Sequence, residues 1–471
     1  MLNHIRYKHA DVTESPAKAK QTAMTSFINS PRKTSPNQRE NITQAIADMV
    51  VSDYLPLSIV EADGFRALME IVAPDYEVPC RKTIRARIMK KFDDSKDSLR
   101  QDLETVSSAS LTTDTWTSTS TDSYITVTEH HITDDWRMQS NVLITREMPE
   151  RHTGVNLAAR LHACVSEYGL DNKIEACVHD NARNMECAGD LCPEWTDNGC
   201  FAHTLQLCIK PALDLPQVEK TVSKCRKLVG HFKHSTILTA EMKKRQKVLD
   251  LPEHSLIQDV STRWNSTQLM LERMCEQRRV VSDIMLDSKV TKKNDVHLLP
   301  SEREWEAMAD ISSVLKDLTT VTTFMSGEND VSCSYVYPIV CGLMNTSLKI
   351  ESEDSSVTRK VKGSVSQQLQ VRFKPLSTDS AATVPAVAAL LDPRYKRLPF
   401  FSRNQRRAAE AELESRLDDI PLRLPSRETE NPTPSKVPKT DSMPGFLQFT
   451  SPEKCTETDE LKDYLLEKGG M

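Results

Sequence analysis

After Ser107 the apolar residues begin to alternate, in short runs, and this change of period limits the chain's middle part to a sheet-containing fold. Residues 111–118, 124–133 and 138–146 are predicted as three successive strands. The second run is rich in β-branched side chains, with Ile125, Thr126, Val127, Thr128 and Ile132, and Asp134-Asp135 marks the turn into the third. Thr153-Gly154 then opens an amphipathic helix through Leu157, Leu161 and Val165, with Gly169 as its stop. Residues 173–179 are the fourth strand. A meander of three strands followed by helix and strand is an α/β arrangement that many folds share.

Asp114 sits in the first run, and the fourth ends in Val178-His179-Asp180-Asn181. Taken singly, Asp114 is a strand-end residue capping a turn through Thr115, and Asp180 forms an Asx turn with Asn181. Taken together, two strand-borne aspartates delivered to one end of a sheet can hold a pair of divalent cations for phosphoryl transfer. A third signature is Asp259-Val260-Ser261-Thr262-Arg263-Trp264-Asn265-Ser266-Thr267, and a fourth is Leu390-Leu391-Asp392-Pro393-Arg394-Tyr395-Lys396. With these segments the chain resembles the domesticated hAT-type transposases, most closely the zinc finger BED domain-containing proteins. The resemblance runs from the first residues nearly to the last, and both ends read as cut. It implies an RNase H-like mixed sheet with a large all-α insertion, preceded by a small all-α domain.

The resemblance also assigns roles. Asp114 and Asp180 become a vestigial acidic pair for Mg2+ or Mn2+. In the family a glutamate within a Ser-Glu-Arg-like motif supplies the third carboxylate. None follows Asp392, and Glu453, Glu457 and Glu460 have the wrong neighbours, so the expected site is incomplete and the chain is not an enzyme. Cys200 and His203, with Cys192 and Cys208, follow no common zinc spacing. Packing of Cys200 and a hydrogen-bonded His203 is the plain reading; the family places such a Cys-x-x-His beside the acidic site. Arg263 is a candidate for phosphate, and Trp264 either stacks on an unpaired base or anchors the core. His4 and His9 have the spacing of the histidine half of a Cys2His2 zinc site, with the cysteine half expected upstream; alone they are two tail histidines.

A net charge of -6 argues against indiscriminate coating of nucleic acid, because affinity for phosphate comes from clustered cations. Two clusters exist. Arg81, Lys82, Arg85, Arg87, Lys90 and Lys91 lie in an acid-free stretch whose Ile84, Ile88 and Phe92 are spaced as the buried side of a helix. Lys220, Lys224, Arg226, Lys227, Lys233, Lys243, Lys244, Arg245 and Lys247 form the other. Each alone is a solvated helix face; as a pair in a transposase-like chain they are candidate phosphate contacts. The 12 cysteines follow no framework and read as reduced thiols. No apolar run approaches the length of a membrane span, and the first residues lack a secretion signal, so a soluble intracellular protein of nucleus or cytosol is expected, and the resemblance implies the nucleus. Glycine totals only 12, and Gly-rich phosphate loops, Gly-x-Ser-x-Gly and His-Glu-x-x-His are missing from the sequence.

The expected organisation is a zinc-finger remnant (1–9), a flexible linker (10–40), a helical DNA-binding-like domain (41–104), the RNase H-like domain (105–265), the helical insertion (266–420), a second linker (421–458) and the start of a dimerisation region (459–471). A fifth strand is expected near 255–260, with helices over 201–213, 218–249, 269–285, 302–324, 334–349 and 405–417. The function implied is that of a nuclear DNA-binding protein, a transcription regulator without catalysis, with zinc and homodimerisation belonging to a longer form. The alternatives are a fragment of an active hAT transposase and a protein-interaction scaffold that does not touch DNA.

Overall fold

A computed structural model describes residues 35–327 and 332–418, in two compact units that divide between Thr105 and Val106. The first unit is helical: α1 (Pro36–Ser52), α2 (Asp63–Val72) and α3 (Arg81–Glu104). Ser35 caps α1 by accepting the Gln38 N–H at 3.2 Å, and Pro36 fits the first turn, where no N–H is needed. This cap corrects the linker's predicted end at 40, since the helix is already under way at Pro36. The core gathers Ile46, Ala47, Val50, Val60, Ala73, Tyr76 and Ile84. Tyr76 is satisfied inside it by Thr43 at 2.7 Å. On α3, Ile84 is buried and Ile88 packs against the core, but Phe92 is 52% exposed, so the predicted apolar stripe stops two turns in. Leu68 and Ile71 of α2 are likewise exposed.

The second unit opens with β1 (Ala109–Thr117), β2 (Ser123–Ile132) and β3 (Met138–Glu147), within a residue or two of the predicted bounds. Helix α4 (Gly154–Glu167), capped by Thr153, leads to β4 (Ile174–His179), α5 (Arg183–Asp190) and β5 (Thr196–Gly199). The strand order is β3-β2-β1-β4-β5, with the meander antiparallel and β4 parallel to both β1 and β5. That is the order expected of an RNase H-like mixed sheet. Leu111, Thr113, Ile125 and Val127 share its buried face, while Thr112, Asp114 and Trp116 alternate onto the other. The fifth strand is not where the sequence placed it: residues 255–260 have no strand partner, Leu256 packing into the helical core and Asp259 turning to Arg226.

Ten helices follow among the described residues: α6 (Phe201–Leu213), α7 (Pro216–Lys233), α8 (Thr236–Val248), α9 (Trp264–Glu276), α10 (Arg278–Leu286), α11 (Glu302–Met325), α12 (Val336–Asn345), α13 (Ser356–Phe373), α14 (Val384–Leu391) and α15 (Arg403–Asp418). The helix predicted over 218–249 is two, because Ser235 starts a new one by capping the Leu238 N–H. The one over 269–285 is also two, divided at Gln277. A capping box between Ser301 and Glu304 fixes the start of α11. One continuous apolar core runs from Leu205 to Leu413, across the 265/266 boundary drawn from sequence.

Candidate functional site

The acidic pair is positioned by backbone register. Thr112 of β1 pairs with Val178 of β4, and continuing that parallel register by two residues sets Asp114 beside Asp180, on the same face and at the same end of the sheet. Asp114 is exposed and Asp180 half-buried. Asp180 is the residue at which the chain leaves β4, and its Oδ1 accepts the Ala182 N–H at 3.1 Å. The Asx turn and the acidic pair are therefore both present, the turn using one carboxylate oxygen.

Cys200 connects this end to α6. Its N–H donates to the His179 carbonyl at 2.7 Å, and its own carbonyl accepts the Thr204 N–H at 2.9 Å. It is the residue that begins the helix, and His203 lies in the first turn. The hydrogen bond that the His203 ring donates to the Cys200 sulfur raises the His203 pKa above the usual imidazole value; burial opposes this, while the charges of Cys200, Asp180 and Asp114 add to it. Burial pushes the Cys200 thiol up, but its hydrogen bonds with His203 outweigh this and leave it below the usual thiol range. Both predicted aspartates thus act on one imidazole, and the predicted Cys-x-x-His lies beside them.

Several supporting residues were not picked out from sequence. Asn181 donates to Thr204 Oγ1 at 3.0 Å, fastening the loop after β4 to α6. A Cβ on Gly199 would sit 2.4 Å from Asn181 Oδ1, so a larger residue there would have to displace the Asn181 side chain. His179 is buried, with one ring nitrogen on the Asp180 carbonyl and the other on Asp197. The adjacency of Asn181 to Asp180 and of Gly199 to Cys200 was the available signal.

The basic candidates divide. On α3, Arg81 pairs with Glu61, Arg87 with Glu40, and Lys91 with Asp48 at 2.6 Å, whereas Lys82, Arg85 and Lys90 are exposed, Lys90 adding its charge to that of Arg87 at Glu40. The second cluster also divides: Arg226 grips the nearly fully buried carboxylate of Asp259 at 2.7 Å, Arg245 reaches Glu241, Asp283 and Asp287, and Lys224 reaches Glu304. These three cations are committed to carboxylates, whereas Lys220, Lys227, Lys233, Lys243, Lys244 and Lys247 are exposed. Arg263 is exposed at the start of α9. Trp264 is only 4% exposed and belongs to the helical core, which corrects the stacking role: its ring has no free face for a base. His4 and His9 lie outside the described residues.

Family models match two consecutive stretches, the ZBED1 RNase-like domain over residues 112–203 and the ZBED1 RNase-like helical domain over 199–314. The chain is 28% identical over 366 residues to a Zea mays protein that carries the name of an AC transposase, and 26% identical over 374 residues to zinc finger BED domain-containing protein 4 of Homo sapiens. Its sequence is similar to those of hAT transposases and BED-type zinc finger proteins. Zinc finger BED domain-containing protein DAYSLEEPER of Arabidopsis thaliana is another relative, 25% identical over 375 residues. These matches cover 74%, 76% and 76% of this chain but only 44%, 31% and 52% of the relatives, so the chain spans about a third to a half of their length. The meeting point of the two family models, at 199–203, falls on the β5–α6 junction that carries Cys200 and His203.

For a chain similar to hAT transposases the donor set matters. Among the described residues no three His, Cys, Asp or Glu side chains converge as metal donors. Asp114 and Asp180 offer two carboxylates, and their neighbour is the His203 imidazole rather than a third carboxylate. The described residues do not fit a two-cation centre. Every cysteine among them is free, as expected, and no helix among them is long and apolar enough to cross a membrane.

Proposed function

We propose that this transposase-derived chain is part of a nuclear DNA-binding protein that acts by docking, as a transcription regulator, and does not cut or join strands. The observation that carries this reading is the company of the acidic pair: Asp114 and Asp180 have the His203 imidazole for a neighbour, where a phosphoryl-transfer centre would need a third carboxylate. A second support is the exposed set Lys82, Arg85 and Lys90 on α3, left after the other three basic residues are paired. Such cations hold phosphates and position a protein without reading bases. A relative from Talaromyces stipitatus that carries the name of a transcriptional regulator, 26% identical over 340 residues, fits the regulatory reading. Zinc and homodimerisation are proposed for a longer form of the protein.

Gel shifts or anisotropy with duplex DNA across a salt series test the docking. Affinity is expected to fall as salt rises, and replacing Lys82, Arg85 and Lys90 with Gln to reduce the log–log salt slope by roughly 2 to 3. Binding that ignores salt, or survives all three changes with the same slope, removes α3 from the account. The scaffold reading then takes its place.

A further inference from the structure

The face of the sheet that carries Asp114 also carries an exposed aromatic pair that the acidic site does not use. Trp116 is 43% exposed and stacks on Tyr124, directly opposite it on β2, with ring centroids 4.6 Å apart and planes 17° from parallel. The indole Nε1–H faces Thr126 Oγ1 at 3.4 Å, and Thr126 stands opposite Asp114, so the rings are held in one pose before anything docks. The pairing of β4 with β1 ends at Thr112 and Val178, while β2 continues along β1 to Thr117. The indole therefore has Tyr124 on one side and open space on the other, over the end of β4 where Asp180 begins its turn.

Charge decides what fits that space. Asp114 lies two residues back on the same face, Asp180 is aligned with it, and Glu147 is exposed opposite Tyr124 on β3. A phosphate chain brought here meets like charge. A planar cation meets an electron-rich ring face and carboxylates at its edge, and guanidinium suits both, because it stacks on indole and its forked donors match a carboxylate. We propose that the Trp116–Tyr124 shelf, with Asp114 and Asp180 beside it, is a docking surface for an arginine side chain of a basic segment of a partner protein. This contact is separate from the DNA reading, which rests on α3.

The test titrates the full chain with a labelled, end-blocked Gly/Ser peptide carrying two arginines, followed by fluorescence anisotropy at low salt. Trp116→Ala and Asp114→Asn are each expected to weaken binding by roughly 3- to 30-fold, with Trp116→Phe weakening it less, and a lysine peptide is expected to bind several-fold more weakly. A single-stranded oligonucleotide is the opposing probe, because removing a carboxylate strengthens a phosphate ligand and weakens a guanidinium. If Trp116→Ala weakens the oligonucleotide, Asp114→Asn tightens it and neither changes the peptide, the shelf takes a base and the proposal is wrong. It is equally wrong if the arginine peptide binds no better than its arginine-free counterpart. Trp116→Phe and Asp114→Asn, checked by thermal melting, give the answer even where Trp116→Ala fails to fold. Loss of duplex binding with an unchanged peptide titration would count against α3 and not against the shelf.

Discussion

Asp114 of β1 and Asp180, the residue after β4, each lie two residues beyond the last pair of these neighbouring parallel strands, Thr112 and Val178, and both raise the pKa of His203. Because Cys200 is the largest cause, Cys200→Ser is expected to lower the His203 pKa most, with Asp180→Asn and Asp114→Asn producing smaller drops. The raised value means that the imidazolium stabilises the fold fully below about pH 6.5, the unfolded value, and that this contribution fades as pH rises through the folded pKa. Histidine C–H shifts followed by NMR against pH measure it. A His203 pKa at or below the unfolded value would remove the electrostatic link between the strands and α6.

Gly199→Ala is expected to displace Asn181, whose Oδ1 a new Cβ would meet at 2.4 Å, and with it the hydrogen bond to Thr204 that fastens the Asp180 loop. The φ of Gly199 is not in the left-handed region, so the cost is steric rather than conformational. A loss on the order of 1–3 kcal/mol in denaturant unfolding is the expectation for such overpacking. The His203 titration should shift in the same variant. An unchanged melt would mean that Asn181 has another place to go.

Arg226 and Asp259 make a larger claim on stability. The Asp259 carboxylate is 1% exposed and Arg226 is 37% exposed, so removing the arginine leaves the more deeply buried charge unpaired. Arg226→Met is expected to cost on the order of 3 kcal/mol, and Asp259→Asn less, since an amide can still accept from Thr267. Urea unfolding of the two variants ranks them. The reverse order would show that the guanidinium is the more poorly solvated partner.

Acid should weaken the helical part through two carboxylates. Burial pushes Glu304 up, but Lys224 and the hydrogen bonds from Ser301 outweigh this and bring it down to about 2; Asp259 is likewise held below the usual carboxylate range, burial being outweighed by Arg226 and Thr267. Depressed folded values contribute stability that is fully present above the unfolded carboxylate pKa of about 4 and is lost as pH falls through the folded ones. Melting temperatures from pH 6 down to pH 2 should fall in that window, and less steeply in Glu304→Gln. Identical slopes would place the acid sensitivity elsewhere.

Much of the sheet was legible because alternation is local: Ile125, Val127 and their neighbours declare β2 without reference to the rest of the chain. β5 was hidden because Thr196-Asp197-Asn198-Gly199 is short and polar and becomes a strand only by lying against β4. Around Leu256 and Val260 the opposite happened, an alternating segment that no strand comes to meet. The acidic pair could be read as a pair, since Asp114 lies in one recognisable strand and Asp180 directly follows another. What sequence could not show was which charges are already answered: Arg226 meets Asp259 from 33 residues away, and Arg87 meets Glu40 from 47. Trp264 was ambiguous for the same reason, because its burial depends on helices scattered through the following hundred residues and more.

The claim that this chain docks without cutting is tested most directly by incubating it with DNA duplex ends in Mg2+ or Mn2+, beside the Asp114→Ala and Asp180→Ala variants. The account predicts no strand cleavage or joining above the level of the variants. Metal-dependent product from the unaltered chain, abolished by Asp114→Ala, would contradict it and restore Asp114 and Asp180 as working ligands.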